Sequence, residues 1–101
     1  MNVTYRTDGD ALVVYLSGEL DHHAADPIRR QIDDLYRQYA PRILALDLRD
    51  LDFMDSSGVG VILGRYRLVR DAGGAMVIRN PGERVDRILM MSSVYRVVDR
   101  L

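Results

Sequence analysis

Short apolar runs alternate along this chain with segments whose apolar residues recur at helical spacing, and turn residues separate the two kinds. This alternation constrains the fold most. Strands that alternate with helices are joined by right-handed crossovers and build a mostly parallel sheet. Val3–Arg6 and Ala11–Leu16 are rich in β-formers, and Asp8-Gly9 between them reads as a hairpin turn, so the first strand can run antiparallel. Asp26 suits an N-cap and Pro27 the first position of a helix. Ile28, Ile32, Leu35 and Tyr39 then form one apolar stripe, which Pro41 ends. Ile43–Leu48 reads as a strand buried on both faces.

A second helix is predicted to begin near Ser56, with Val59, Ile62, Leu63, Tyr66 and Val69 inward and Gly73-Gly74 as its left-handed stop. Ala75–Ile78 is another short strand. Asn80-Pro81-Gly82-Glu83 then opens a third helix, with Asn80 as N-cap, Pro81 first and Glu83 closing a capping box. Val85, Ile88 and Leu89 face inward, Ser92-Ser93 ends the helix, and Tyr95–Val98 reads as the last strand. The predicted order is β-β-α-β-α-β-α-β, an α/β fold with a mixed, mostly parallel sheet flanked by helices.

At 101 residues the chain suffices for one domain spanning 1–101 and not for two. Fourteen basic and fifteen acidic residues leave a formal charge of -1. That balance offers no general attraction to nucleic acid or to an anionic membrane. No apolar run is long enough to cross a bilayer, and the start does not read as an export signal, so the cytoplasm is the expected compartment. The absence of cysteine excludes disulfides, thiol catalysis and cysteine-held metals. Every basic residue is arginine, which excludes the lysine of a phosphate-binding loop.

The stretch with chemical potential is Leu51-Asp52-Phe53-Met54-Asp55-Ser56-Ser57-Gly58-Val59-Gly60, at the junction of the third strand and second helix. Sites in such folds gather where strand C-termini meet helix N-termini. Two hydroxyls sit at the expected start of a helix, where about half a positive charge and unpaired N–H groups tolerate an added phosphate. Phosphorylation brings roughly -1.5 to -2 charges. Phe53 and Met54 beside that polar tip suit a docking surface that charge can turn off, and Asp55 would repel a phosphoserine. A plainer reading makes Ser56 or Ser57 a helix cap, Gly58 a packing residue, and Phe53 and Met54 core.

Asp55 through Tyr66 resembles the signature of STAS domains, and within them the sporulation-type anti-sigma factor antagonists. Gly18-Glu19-Leu20-Asp21-His22-His23 and Gly73-Gly74-Ala75-Met76-Val77 match as well, and the resemblance runs from about Val3 to Val98. It implies a partner switch without chemistry or cofactor of its own. The unphosphorylated form binds an anti-sigma factor that is also an ATP-dependent serine kinase and so frees a sigma factor. The kinase phosphorylates Ser56, the product leaves, and a serine phosphatase resets it. The resemblance makes Asp21 a kinase contact, and makes Met54, Asp55, Ser57, Gly58 and Gly60 the surrounding interface. Such proteins usually continue past the last strand into a C-terminal helix. That helix is expected to be missing after Leu101, with Val94, Val97 or Leu101 uncovered.

Other constellations carry less. His22-His23 lacks a second ligand cluster for a metal. Gly58-x-Gly60 lacks the third glycine of a dinucleotide fingerprint, Leu63 standing there. Met54 and Asp55 occupy the first-glycine positions of a nucleophile elbow about Ser56 and Ser57. Arg65, Arg67 and Arg70 are read as a solvated helix face. The alternatives to the switch are a STAS scaffold or transport-complex module with another client, and a nucleotide-binding protein.

Overall fold

The computed structural model describes all residues from Met1 to Leu101. The elements are β1 (Asn2–Asp8), β2 (Ala11–Leu20), α1 (His22–Tyr39), β3 (Ile43–Met54), α2 (Ser56–Asp71), β4 (Ala75–Arg79), α3 (Glu83–Met91), a 3-10 turn (Val94–Arg96) and β5 (Asp99–Arg100). One five-stranded sheet has the order β1-β2-β3-β4-β5. β1 is antiparallel to β2, and every other pair is parallel. The expected mostly parallel α/β fold is therefore borne out.

Register places the core. Leu12, Leu44 and Met76 align across β2, β3 and β4, and so do Val14, Leu46 and Ile78. Successive strand residues face opposite sides of a sheet, so these rows share one face. They form one cluster with Ile28 and Ile32 of α1, Val61, Ile62 and Val69 of α2, and Val85 and Leu89 of α3. Val13, Ala45 and Asp47 are also buried but belong to the alternate rows. Asp47 is held there by the Asn80 amide, 2.9 Å from Oδ2, and by the Arg49 backbone N–H at 3.1 Å. These bonds satisfy a carboxylate that would be costly to bury alone.

Several element boundaries differ from the sequence expectation. α1 starts at His22, four residues before Asp26, because Asp21 caps it by accepting from the backbone N–H groups of His23 and Ala24, each at 3.0 Å. Pro27 consequently lies inside the helix. β3 continues past Leu48 to Met54, paired only with β2 beyond Asp47. α3 begins at Glu83 after Gly82, without a side-chain cap. Asn80 takes a left-handed φ of 53° and turns its amide to Asp47 instead of capping the helix. The segment Tyr95–Val98 is no strand. Val94 and Val98 are buried around a 3-10 turn, and only Asp99–Arg100 joins β4. Of the residues expected to be uncovered there, Val94 is buried, while Val97 and Leu101 are exposed.

Candidate functional site

The strands β2 and β3 lie side by side, and their last residues pair in register, Leu20 with Met54. Each is followed by an aspartate and then a helix, so Asp21 and Asp55 occupy equivalent places at adjacent strand ends. The Asp55 backbone N–H donates to the Leu20 carbonyl at 3.4 Å, tying the two junctions together. The fold thus brings Asp21 of one junction beside Asp55, Ser56, Ser57 and Gly58 of the other.

Asp55, not either serine, is the cap of α2. Its Oδ1 accepts from the backbone N–H groups of Ser57 at 2.9 Å and Gly58 at 3.2 Å. Ser56 is the first helical residue and is exposed. Its hydroxyl is free of the capping duty that the plainer reading assigned to a serine. Because Asp55 already occupies two of the helix's free donors, a phosphate on Ser56 would not take them over without displacing that carboxylate. A phosphate would therefore remain at the surface, close to the acidic side chains of Asp55 and Asp21.

Gly58 is buried. A Cβ there would stand 2.6 Å from the Leu20 carbonyl oxygen, 2.6 Å from Met54 Cγ and 3.0 Å from Leu20 Cγ. The absence of a side chain lets the first turn of α2 lie directly on the end of β2. Gly58 and Met54, both expected as interface residues, are thereby corrected to structural ones. Met54 is 1% exposed and packs under Gly58, so neither presents a side chain to a partner. Ser57 is half-buried, and Gly60 is exposed with open space beside it.

The residue beside Met54 takes the opposite role. Phe53, the only phenylalanine, is 37% exposed and lies across from the exposed Glu19 of β2. With Asp52 also exposed, the rim of the site is an acidic surface with one aromatic side chain. Pattern reading missed Glu19, since only the β2–β3 register places it next to Phe53. Asp21 titrates below its ordinary value of 3.8, chiefly because its carboxylate accepts the Ala24 N–H. Its charge is therefore firmly held at neutral pH.

Arg65 is a second correction. It is not on a solvated face but 9% exposed, between α1 and α2, with Nε 2.8 Å from Asp33 Oδ1. Burial lowers its pKa, Asp33 opposes that shift, and Arg29 adds to it. The signal was present in the sequence. Arg65 stands four residues after Val61 and four before Val69, on the buried stripe of α2.

The STAS domain family matches residues 2–101, and the chain belongs to that family. Its relatives there carry one kind of name. It is 45% identical to the anti-sigma F factor antagonist of Paenibacillus polymyxa over 86% of this chain and 74% of the relative. Among solved structures it resembles the anti-sigma factor antagonist SpoIIAA in its unphosphorylated form, with 32% identity and a TM-score of 0.82 over 99% of this chain and 88% of that one. It also resembles the Bacillus cell fate determinant SpoIIAA in the phosphorylated form, with 31% identity and a TM-score of 0.74 over 99% of this chain and 91% of that one.

Proposed function

We propose that the chain is an anti-sigma factor antagonist that works as a phosphorylation-controlled binding module. In its unphosphorylated form it docks on an anti-sigma factor serine kinase and so releases a sigma factor. Phosphorylation of Ser56 turns docking off, and a serine phosphatase restores it. The observation that carries this reading is the exposed Ser56 at the first position of α2, next to a cap formed by Asp55 rather than by the serine itself. The hydroxyl can be modified without dismantling the helix start. Relatives named anti-sigma factor antagonists, and a resemblance to both phosphorylation forms of SpoIIAA, support the same reading.

The switch follows from charge. A dianion added to a surface that already carries Asp21 and Asp55 gains no compensating cation from this chain's own first turn. If the partner's face excludes water there, burying that charge unpaired is costly. Asp21 serves as the second anchor of the docking surface, Ser57 and Gly60 as its neighbours, and Gly58 and Met54 as the packing that holds Ser56 in place. The chain is a substrate and a ligand in this scheme, with no reaction of its own. It acts in the cytoplasm, and no helix is long and apolar enough to cross a membrane. The test compares binding of the parent, Ser56→Ala and Ser56→Asp to an anti-sigma factor kinase by calorimetry. Ser56→Ala should bind like the parent, and Ser56→Asp should bind at least tenfold more weakly, about 1.4 kcal/mol. Equal affinity for all three would refute a switch at this residue.

A further inference from the structure

The pair Asp33–Arg65 is a buried polar contact with no part in the scheme above. Its side chains are 14% and 11% exposed, and it is the one ion pair that joins α1 to α2. The geometry is not optimal for stability. Asp33 Oδ1, Arg65 Nε and Arg65 Nη1 are buried without a well-aligned hydrogen bond, and the second cation near Asp33, Arg29, is 3.9 Å away. A buried ion pair of this quality is often no more stabilising than apolar side chains of the same volume. The rest of the α1–α2 contact is apolar, from Ile28 and Ile32 to Val61, Ile62 and Val69, and apolar contact is not directional.

The two helices are hinged at their first residues by the strands they follow. Their directions are set by contacts farther along. Asp33 lies about 18 Å along α1 from Asp21, and Arg65 about 15 Å along α2 from Asp55. A directional link at that distance fixes the tilt of each helix and hence where its first turn points. We propose that Asp33 and Arg65 are positioning residues that hold Asp21 and Ser56 in one fixed relation, so that a single partner engages both together. The inference rests on the reading of Ser56 as phosphoacceptor and Asp21 as docking anchor. Binding energy from a remote anchor speeds a reaction only when it is delivered with the reacting group aligned.

The test is a double-mutant cycle on kcat/KM for Ser56 phosphorylation by an anti-sigma factor kinase. Four proteins are compared: the parent, Asp21→Asn, the apolar replacement Asp33→Leu/Arg65→Met, and the combination. Asparagine keeps the cap of α1 while removing the charge. In the parent background Asp21→Asn should lower kcat/KM about tenfold, and in the apolar background by less than about twofold, because the anchor no longer aligns the serine. The charge swap Asp33→Arg/Arg65→Asp should restore the tenfold effect. An equal effect of Asp21→Asn in all backgrounds means that the pair is merely structural and overturns the inference. A kinase-free readout keeps its failure apart from that of the function itself. The chain has no cysteine, so spin labels at the exposed positions Arg30 and Arg67 report the α1–α2 distance. The distance distribution should be narrow in the parent and charge swap and broad in the apolar variant. A narrow distribution in all three overturns the inference even if no kinase accepts the protein.

Discussion

Replacing Gly58 by alanine should push the first turn of α2 off the end of β2. The new Cβ would stand 2.6 Å from the Leu20 carbonyl oxygen and 2.6 Å from Met54 Cγ. A carbon reaches comfortable contact with a carbonyl oxygen at about 3.3 Å, so the turn must move by about 0.7 Å. The oxygen belongs to the backbone of a paired strand and cannot rotate away. Overpacking of this kind costs about 1–3 kcal/mol, and the better helix propensity of alanine returns about 1 kcal/mol. The net loss is about 1 kcal/mol, which lowers the melting temperature of a domain this size by about 4–8 °C. The control is Gly60→Ala, two residues on. A Cβ there meets nothing within 4 Å, so only the propensity gain remains, about 1 kcal/mol of stabilisation. Thermal unfolding followed by circular dichroism measures both. Equal stability of the two variants, or a stabilising Gly58→Ala, would refute the reasoning. Because the displaced turn carries Ser56, Gly58→Ala should also be phosphorylated more slowly under conditions where it is fully folded.

Asp55→Ala should cost about 1 kcal/mol in urea unfolding, and Asp55→Asn much less, since asparagine can still accept from the first-turn N–H groups. The Asp21 carboxyl should titrate by NMR with a midpoint below 3.8. A carboxylate depressed in the folded state stabilises above its unfolded pKa, and that stability is lost as pH falls through the folded pKa. Protection of the His23 and Ala24 amides from exchange should therefore persist at pH 5 and fall in acid. The Tyr95 hydroxyl donates to Asp86, and burial followed by that bond raises its pKa far above the ordinary 10.0. It should stay protonated at pH 10 in an absorbance titration, and Tyr95→Phe should destabilise by about 1–2 kcal/mol, the acceptor being charged.

The alternation of elements was legible because period-2 and period-3.6 patterns separate cleanly wherever one face is buried. The start of α2 was legible to the residue, since Val61, Ile62 and Val69 set its phase. Boundaries failed where a side chain chose between two local partners. Asp21 and Asp26 are both good caps. Asp21 wins because β2 ends at Leu20, paired with Met54, which is a register fact that the local sequence does not carry. Asn80 is a strong cap residue drawn instead to Asp47, 33 positions away. Tyr95–Val98 has strand composition, but burial of Val94 and Val98 on one side of a 3-10 turn decided its shape. At the site, Ser56 and Asp21 were identifiable by motif. The division of labour among their neighbours was not, because Met54 and Phe53 are equally apolar and only the pleat decides which faces the core and which the solvent.

The most direct test of the central claim is phosphorylation by an anti-sigma factor kinase with ATP, read by intact mass and site mapping and followed by the stability of the complex. The account predicts one added phosphate, located on Ser56, none on Ser56→Ala, and loss of the complex once the phosphate is in place. A phosphate mapped elsewhere, or a complex that survives modification of Ser56, would contradict it.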